Sequence, residues 1–587
     1  MAKHTQHKKS SSRRGRSKLG ANKHHVPTST RQPTPPPPTF DGYYTPNPFP
    51  STPSESAHEA LNRIQTSLDA EAFQSGLGRL FNSRLVPEED QRRWIPANAP
   101  TTAEEEQVVD KQFIFDVARG QLAGPYTVEE LEAAARSPIR TAPLRVIPKG
   151  SHIPPPPVKK WRIIENLSAP RKPRGEITSV NWTLDSDYEK CTWTSTAMLE
   201  QRFLGYADDV EVMGIDLIEG FMHIPVHPDS RPWFCLFWRG SVWIRKVASY
   251  GARTTPAIFG NCVDATITMM ENDLPVEAFA QVDDIGIARK GKDVTDAQVR
   301  DYLRNLGWNV HPVEAEKGFT WSRIFKHNGI IWDLDAKTKT LTNDKREKYL
   351  AFVKALHVTG SASLSDMEKL LGYLVYVCSI VRHRKSALFT FFRFRRGFKD
   401  EFGIHSFNRV DREALREWIE YLESPVITAS FEKPTSKFHT EIYTDASNIG
   451  IGVVAGSHAA AFSFKSTWRD DYDAHIGPAK AWGVEAGLEA AILMGAKDCE
   501  LTLHCDNSGV VFAWLKGWSR NKLQNESISR LMEATMEHNI LLTIKYINTT
   551  ENPADPLSRE YKHWPTHYTP FPIPLSDPYG TIFGPAP

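Results

Sequence analysis

Short apolar runs broken by turn residues fill the middle of the chain, and their period changes along it. Val212-Met213-Gly214-Ile215-Asp216 is an apolar strand closed by an acid. Phe279 to Ala288 reads as two short strands with an acidic pair, Asp283 and Asp284, at the turn. Between them, Ser249 to Phe259 is a glycine turn leading into an apolar helix. Runs of this length bounded by turn residues are the pattern of buried strands. Farther on, Glu441 to Ser447, Ile449 to Val454 and Ala459 to Phe464 predict three more strands. Pro478 then opens a helix, as proline in a first turn does. Trp482, Leu488, Ile492 and Leu493 give that helix a buried face, and Glu485 lies on it. A strand, Leu501 to Cys505, ends in Asp506. Two helices and a strand ending near Ile547 lead to Glu551-Asn552-Pro553-Ala554-Asp555-Pro556-Leu557-Ser558-Arg559.

Other segments are less marked. Residues 60–110 predict one or two helices and a polar linker. Gly120 to Tyr126 leads toward a strand at Leu144 to Lys149. Ser365-Asp366-Met367-Glu368 reads as a capping box before the apolar helix Leu370 to Tyr376. Its neighbour interleaves Arg382, Arg384, Lys385, Arg393, Arg395 and Arg396 with Phe391, Phe392 and Phe394. Such a segment suits a duplex backbone. It equally suits a core helix with a snorkelling cationic edge.

The acids carry the candidate chemistry. One carboxylate on a strand, Asp216, and two on a neighbouring hairpin, Asp283 and Asp284, can hold divalent cations for nucleotidyl transfer. Mg²⁺ prefers few carboxylates plus substrate phosphates. An acidic pair at a strand end is also what a solvated turn looks like. A second set, Asp445, Glu485, Asp506 and Asp555, falls at the ends or faces of successive elements. Singly, each also reads as a turn residue, a solvated helix face or a cap. Glu489, one turn beyond Glu485, is the alternative on the helix.

Taken in order, these segments resemble a reverse transcriptase followed by an RNase H domain, a likeness that covers roughly residues 112–560. Asp216 to Phe221 matches motif A, Gly251 to Phe259 motif B, and Gln281 to Asp284 motif C. Glu316 to Phe319 looks like motif D and Asn328 to Asp333 like motif E. Lys159 to Ser168 is similar to the fingers strand that meets the incoming triphosphate. The Asn-Pro-Ala-Asp phrase and the wording of Arg162 to Pro170 resemble DIRS-type retrotransposons. Two positions depart from the pattern: Gln281 stands where an aromatic is usual, and Asn548 to Ala554 lacks a histidine.

The resemblance implies an α/β (α+β) multidomain chain: right-hand fingers, palm and thumb, then an RNase H-like domain, behind a disordered N-terminal arm. It implies an RNA-directed DNA polymerase with RNase H, using two Mg²⁺ per active site, with Mn²⁺ as the alternative ion. Asp216, Asp283 and Asp284 would be the palm ligands, and Asp445, Glu485, Asp506 and Asp555 the RNase H ligands. Lys160 (or Lys159) and Arg162 would meet the triphosphate, Phe221 would exclude a 2′-hydroxyl, and Gly251 would let backbone approach the nucleotide. Lys317 would give a proton to pyrophosphate. The implied partners are an RNA template, a DNA primer, an RNA–DNA hybrid, dNTPs and other proteins of the same element. An RNA-templated RNA polymerase, or a co-opted element that binds nucleic acid without catalysis, is the alternative.

Composition changes this picture little. The length, 587 residues, allows several domains. The expected division is 1–58 basic then Pro-rich arm, 59–111 helical linker, 112–340 fingers and palm, 341–436 helical thumb, 437–560 RNase H-like domain and 561–587 Pro-rich tail. Net charge is +1, so the overall field points to no partner. The first 25 residues are strongly basic, with no acid before Asp41, as in an arm that binds polyanions, carries a nuclear signal or merely solubilises. The six cysteines have no zinc spacing. No run suits a membrane span or a signal peptide, so the expected location is intracellular, cytoplasmic or nuclear.

Overall fold

The computed structural model describes residues 47–62, 92–149, 160–175, 177–184, 193–311, 318–400, 402–465, 468, 476–559 and 565–574. The basic arm, most of the Pro-rich stretch, Lys159 and Lys317 lie outside the described residues. The chain is a mixed α/β, multidomain structure. Among the described residues no helix is long and apolar enough to cross a membrane.

The central element is a four-stranded antiparallel sheet. Val210–Asp216 lies between Phe319–Ser322 and Asp284–Lys290, and Val276–Gln281 forms the edge beyond the latter. Strand side chains alternate between faces, and here both faces are covered. Met213, Ile215, Ala278, Ala280, Ile285 and Ile287 enter one core, shared with Ile258 and Phe259 of the helix Thr255–Asp273. Val210, Val212, Phe279 and Ala288 enter another, shared with the helical region that follows. Burial on both sides explains why these strands read as continuous apolar runs. Gly214 and Gly286 stand opposite each other in the register. Rings fill the space their missing side chains leave: a Cβ on Gly214 would sit 2.1 Å from Phe319, and one on Gly286 2.2 Å from Phe279.

Upstream, Leu122–Tyr126, Ser241–Arg245, Cys235–Trp238 and Thr141–Ala142 make a second sheet. The helix Ala103–Ala118 begins at a Thr102–Glu105 capping box and runs unbroken through the expected boundary at 111. Its Val109 and Phe113 belong to the same core as the sheet. A separate hairpin pairs Leu144–Lys149 with Lys160–Glu165. Downstream come the helices Asn343–Thr359, Leu364–Ile380, Phe389–Arg396 and Arg409–Glu423. The capping box of the second helix lies two residues earlier than expected. Ser363 caps Asp366 N–H at 3.2 Å and Asp366 returns to Ser363 N–H at 3.0 Å. Ser365 is already helical, and Glu368 instead pairs with Arg395.

The C-terminal sheet runs His458–Ser463, Gly450–Ala455, Ile442–Ala446, Cys499–Cys505, Ile540–Tyr546. The first three are antiparallel and the last three parallel. The helices Ile476–Leu493, Ser508–Lys516 and Lys522–Glu537 accompany it. Thr569–Pro570 adds an edge strand and Ile573 enters this core, so part of the expected tail belongs to the domain. Phe279 is 2% exposed and flanked by Phe203 and His327. It has no room to yield, so Gly286→Ala should lower stability by about 1–3 kcal/mol, read as a drop in denaturation midpoint at unchanged slope.

Candidate functional site

Asp216 ends its strand directly opposite Asp284. The hairpin that carries Asp283 turns on two residues, and Val282 takes φ +60° there. A β-branched residue is costly in that region, and such strain gathers at functional sites. The turn is tied to the Asp216 strand by Leu217 N–H, which donates to the Asp283 carbonyl at 3.2 Å. Asp283 is exposed and Asp216 half-buried.

Asp284 is engaged differently. It accepts a hydrogen bond from Asn328 N–H at 2.8 Å, and His327 Nδ1 lies 3.4 Å away. Burial pushes its carboxyl up, but His327 and the Asn328 N–H prevail and hold it below the usual carboxylate range. Asn328 and Gly329, both at positive φ, form the tip of the hairpin Ile324–His327 with Ile330–Asp333. The tip is also held from the helical region, where Tyr376 donates to the Asn328 carbonyl at 2.6 Å. Asp284 thus positions this hairpin beside the acidic turn.

Tyr250 lies near this acidic turn. Its ring is exposed, and it packs at 5.0 Å against Phe221, which in turn meets Phe259 edge-on at 5.1 Å. Protein around its hydroxyl, Glu219 and Asp283 lift the phenol, Arg162 opposes them and Asp216 adds to the rise; the result is about 12. The same hydroxyl therefore feels Asp216 and Asp283 from the sheet and Arg162 from the separate hairpin. Lys160 opens that hairpin's second strand, but its side chain lies outside the described part. Gly251 makes its close approach within the protein: a Cβ would sit 2.1 Å from the Glu165 carbonyl oxygen. Glu165 is locked by Arg245, and Asn181 bonds the Gly251 carbonyl at 2.8 Å. Gln281 sits opposite Asp284 at the hairpin end.

The second acidic set is brought together only in part. Asp445 and Asp506 end neighbouring parallel strands, and Lys480 stands between them. Its Nζ donates to Asp445 Oδ1 at 2.6 Å and to Asp506 Oδ1 and Oδ2 at 2.7 and 2.9 Å. Ser558 donates to Asp445 Oδ2, and Thr549 to Asp506 Oδ2 at 2.8 Å. Burial lowers the lysine's pKa, but the two carboxylates prevail and raise it. Burial also raises Asp506, yet Lys480 and Thr549 bring it below its ordinary value. Asp445, nearly inaccessible, is raised by burial and by the charge of Asp506. Asp555 lies beside them, its carboxylate gripped by Arg559 at 2.7 and 3.0 Å. The Asn-Pro-Ala-Asp phrase docks here because Asn552 bonds the Thr444 carbonyl at 3.0 Å and Ala554 lies over Gly452.

Glu485 is not part of this centre. It accepts from Arg530 at 2.8 and 3.0 Å and from Ser527, on the helix Lys522–Glu537. Helical period explains the difference. Residues three and four apart share a face, and Gly483 and Gly487, small enough to lie against Asp445 and Thr444, put the Lys480 face on the strand. Glu485, five residues past Lys480, is turned about 140° away at 100° per residue. Glu489, one turn on, shares the face of Glu485. The small residues at 479, 483 and 487 were the sequence signal for this rotation. No individual role was expected of Lys480, Thr549, Ser558, Tyr250 or Asn328, although the last three lie inside segments that the sequence singles out.

Among the described residues, no three His, Cys, Asp or Glu side chains gather as a metal site. The donor sets differ in kind. Asp216 and Asp283 fit an ion that takes one or two carboxylates plus substrate phosphates. Asp445 and Asp506 do not, because an ammonium already spans them.

No family model matches the chain, and no curated protein does. Solved structures that resemble it include the foamy viral protease-reverse transcriptase with an RNA/DNA hybrid, with dsDNA, and in a dRH form with dsDNA. Each is 14% identical, with TM-scores of 0.43, 0.41 and 0.42. The alignments cover 89%, 84% and 86% of this chain. They cover 64%, 96% and 84% of those chains, so the chain spans less than two thirds of the first.

The Glu485–Arg530 pair gives a test of the helix assignment. Glu485→Gln should destabilise the C-terminal domain by about 1.5–3 kcal/mol, as expected for charge-assisted hydrogen bonds. Arg530→Met should cost a similar amount, and the two losses should not add in a double-mutant cycle followed by thermal unfolding.

Proposed function

We propose that the chain is an RNA-directed DNA polymerase, copying an RNA template from a DNA primer with dNTPs. The observation that supports it is the joining of Asp216 and Asp283 across the strand–hairpin junction, with Tyr250 near enough to feel the charges of both acids and of Arg162. The order of motifs along the sequence supports the same reading, and its wording supports a retroelement source of the DIRS type.

Asp216 and Asp283 would hold Mg²⁺, which when bound activates a primer 3′-hydroxyl and neutralises a triphosphate. The chain's own residues do the rest by positioning and electrostatics. Arg162 is exposed on its strand and can meet phosphate charge. Phe221, wedged between Tyr250 and Phe259, would give a rigid floor for the sugar and exclude a 2′-hydroxyl. Asp284 and Tyr376 fix the Asn328 tip from two sides, so a primer end laid there keeps its place relative to Asp283. Base choice then comes from template pairing.

The test is extension of a DNA primer on an RNA template by the purified full chain with Mg²⁺. Asp216→Asn should reduce the rate by at least ~1000-fold while the protein remains folded. Extension by that variant at the wild-type rate would overturn the reading. Phe221→Ala should lower discrimination against ribonucleotides by roughly tenfold or more in kcat/KM. An unchanged ratio would show that Phe221 is not the sugar gate.

A further inference from the structure

The C-terminal domain has the strand order and acid order that resemble RNase H, yet its centre is arranged for another purpose. An ammonium has three N–H donors, and Lys480 spends them on Asp445 and Asp506. Ser558 and Thr549 add hydrogen bonds to the same carboxylates. Asp555, the third acid, is held bidentately by Arg559. Two cations from the chain therefore answer these three carboxylates. A divalent ion would have to expel a covalently attached charge of its own sign from a site where Asp445 is 1% and Lys480 11% exposed at the side chain. The helix offers no acid in exchange, since Glu485 is engaged by Arg530 and Ser527 on another face.

The same domain has a second, well-made role. Phe392 of the helical region stacks on Trp518 at 4.7 Å and 16°. Arg382 donates to the Trp514 carbonyl at 2.9 Å. Asn525 donates to the Ser386 carbonyl at 3.0 Å, and Ser386 and Ser529 share a hydrogen bond at 3.1 Å.

We propose that the Lys480 ammonium occupies the cation position of the Asp445–Asp506 pair, so that this domain folds without metal, does not cut RNA in a hybrid, and serves to brace the helical region. It is a proposal about the C-terminal centre and does not depend on the polymerase reading.

The experiment counts Mn²⁺ bound to the chelator-treated full chain by electron paramagnetic resonance, in wild type, Lys480→Glu and Lys480→Gln. All carry the same Asp216–Asp283 pair, so any difference reports on the C-terminal centre. Lys480→Glu should bind at least one more Mn²⁺ per chain than wild type. Should that variant not fold, Lys480→Gln serves. It leaves two buried carboxylates without their cation, so its unfolding temperature should fall in chelator and rise with Mn²⁺ by a few degrees more than wild type does. Wild type should extend a primer yet leave the RNA of a labelled hybrid intact. Equal Mn²⁺ counts and equal Mn²⁺-induced shifts in wild type and Lys480→Gln would overturn the proposal. So would hybrid cleavage by wild type that Asp445→Asn abolishes. Failure of the polymerase reading would appear separately, as absent primer extension with the Mn²⁺ difference intact.

Discussion

The pairing of Val210–Asp216 with Asp284–Lys290 is the constraint on which the rest of the molecule depends. It places Asp216 opposite Asp284 and so fixes where the hairpin turn, with Asp283, must lie. The pairing holds because both faces of the sheet are dry, one against the helix Thr255–Asp273 and the other against the downstream helices. Gly214 and Gly286 make the second face possible: they stand opposite each other and admit the Phe319 and Phe279 rings. A register slip of one residue would send every apolar side chain to the wrong core. The strained Val282 backbone persists because the strands on either side of it cannot move.

The two acidic centres show one chemical problem handled in opposite ways. Gathered carboxylates repel, and each must find a counter-charge or a hydrogen bond. In the central sheet, Asp284 takes its hydrogen bond from the Asn328 hairpin, while Asp283 stays at an exposed turn. In the C-terminal domain the counter-charges are built in as Lys480 and Arg559, and the hydroxyls of Thr549 and Ser558 complete the shell. The arrangement in the C-terminal domain is suited to permanence.

The basic, aromatic segment after the Leu364–Ile380 helix follows the same logic of internal use. Arg393 pairs with Asp411, Arg395 with Glu368, and Arg384 lies over Tyr421. Phe391 is fully buried, and Phe392 and Arg382 reach the C-terminal domain. A composition suited to a nucleic-acid backbone here makes contacts within the helical region and, through Phe392 and Arg382, with the C-terminal domain.

The sequence by itself determined the strands, the helices and the order of the acids, because side-chain period and turn chemistry are local and can be read from neighbours in the chain. It placed Asp216, Asp445 and Asp506 at the ends of strands and Asp283 at a hairpin turn, and there they are. It could not say which face of the Ile476–Leu493 helix meets the sheet. That rotation is decided by the fit of Gly483 and Gly487 against the strand, and it brings Lys480 in and turns Glu485 toward Arg530. Nor could it say that Asp284 would bond a hairpin more than forty residues away, or that Gly251 would lie against Glu165. A carboxylate's role depends on what stands within about 3 Å of it, and across such separations in sequence only the packed chain sets that distance.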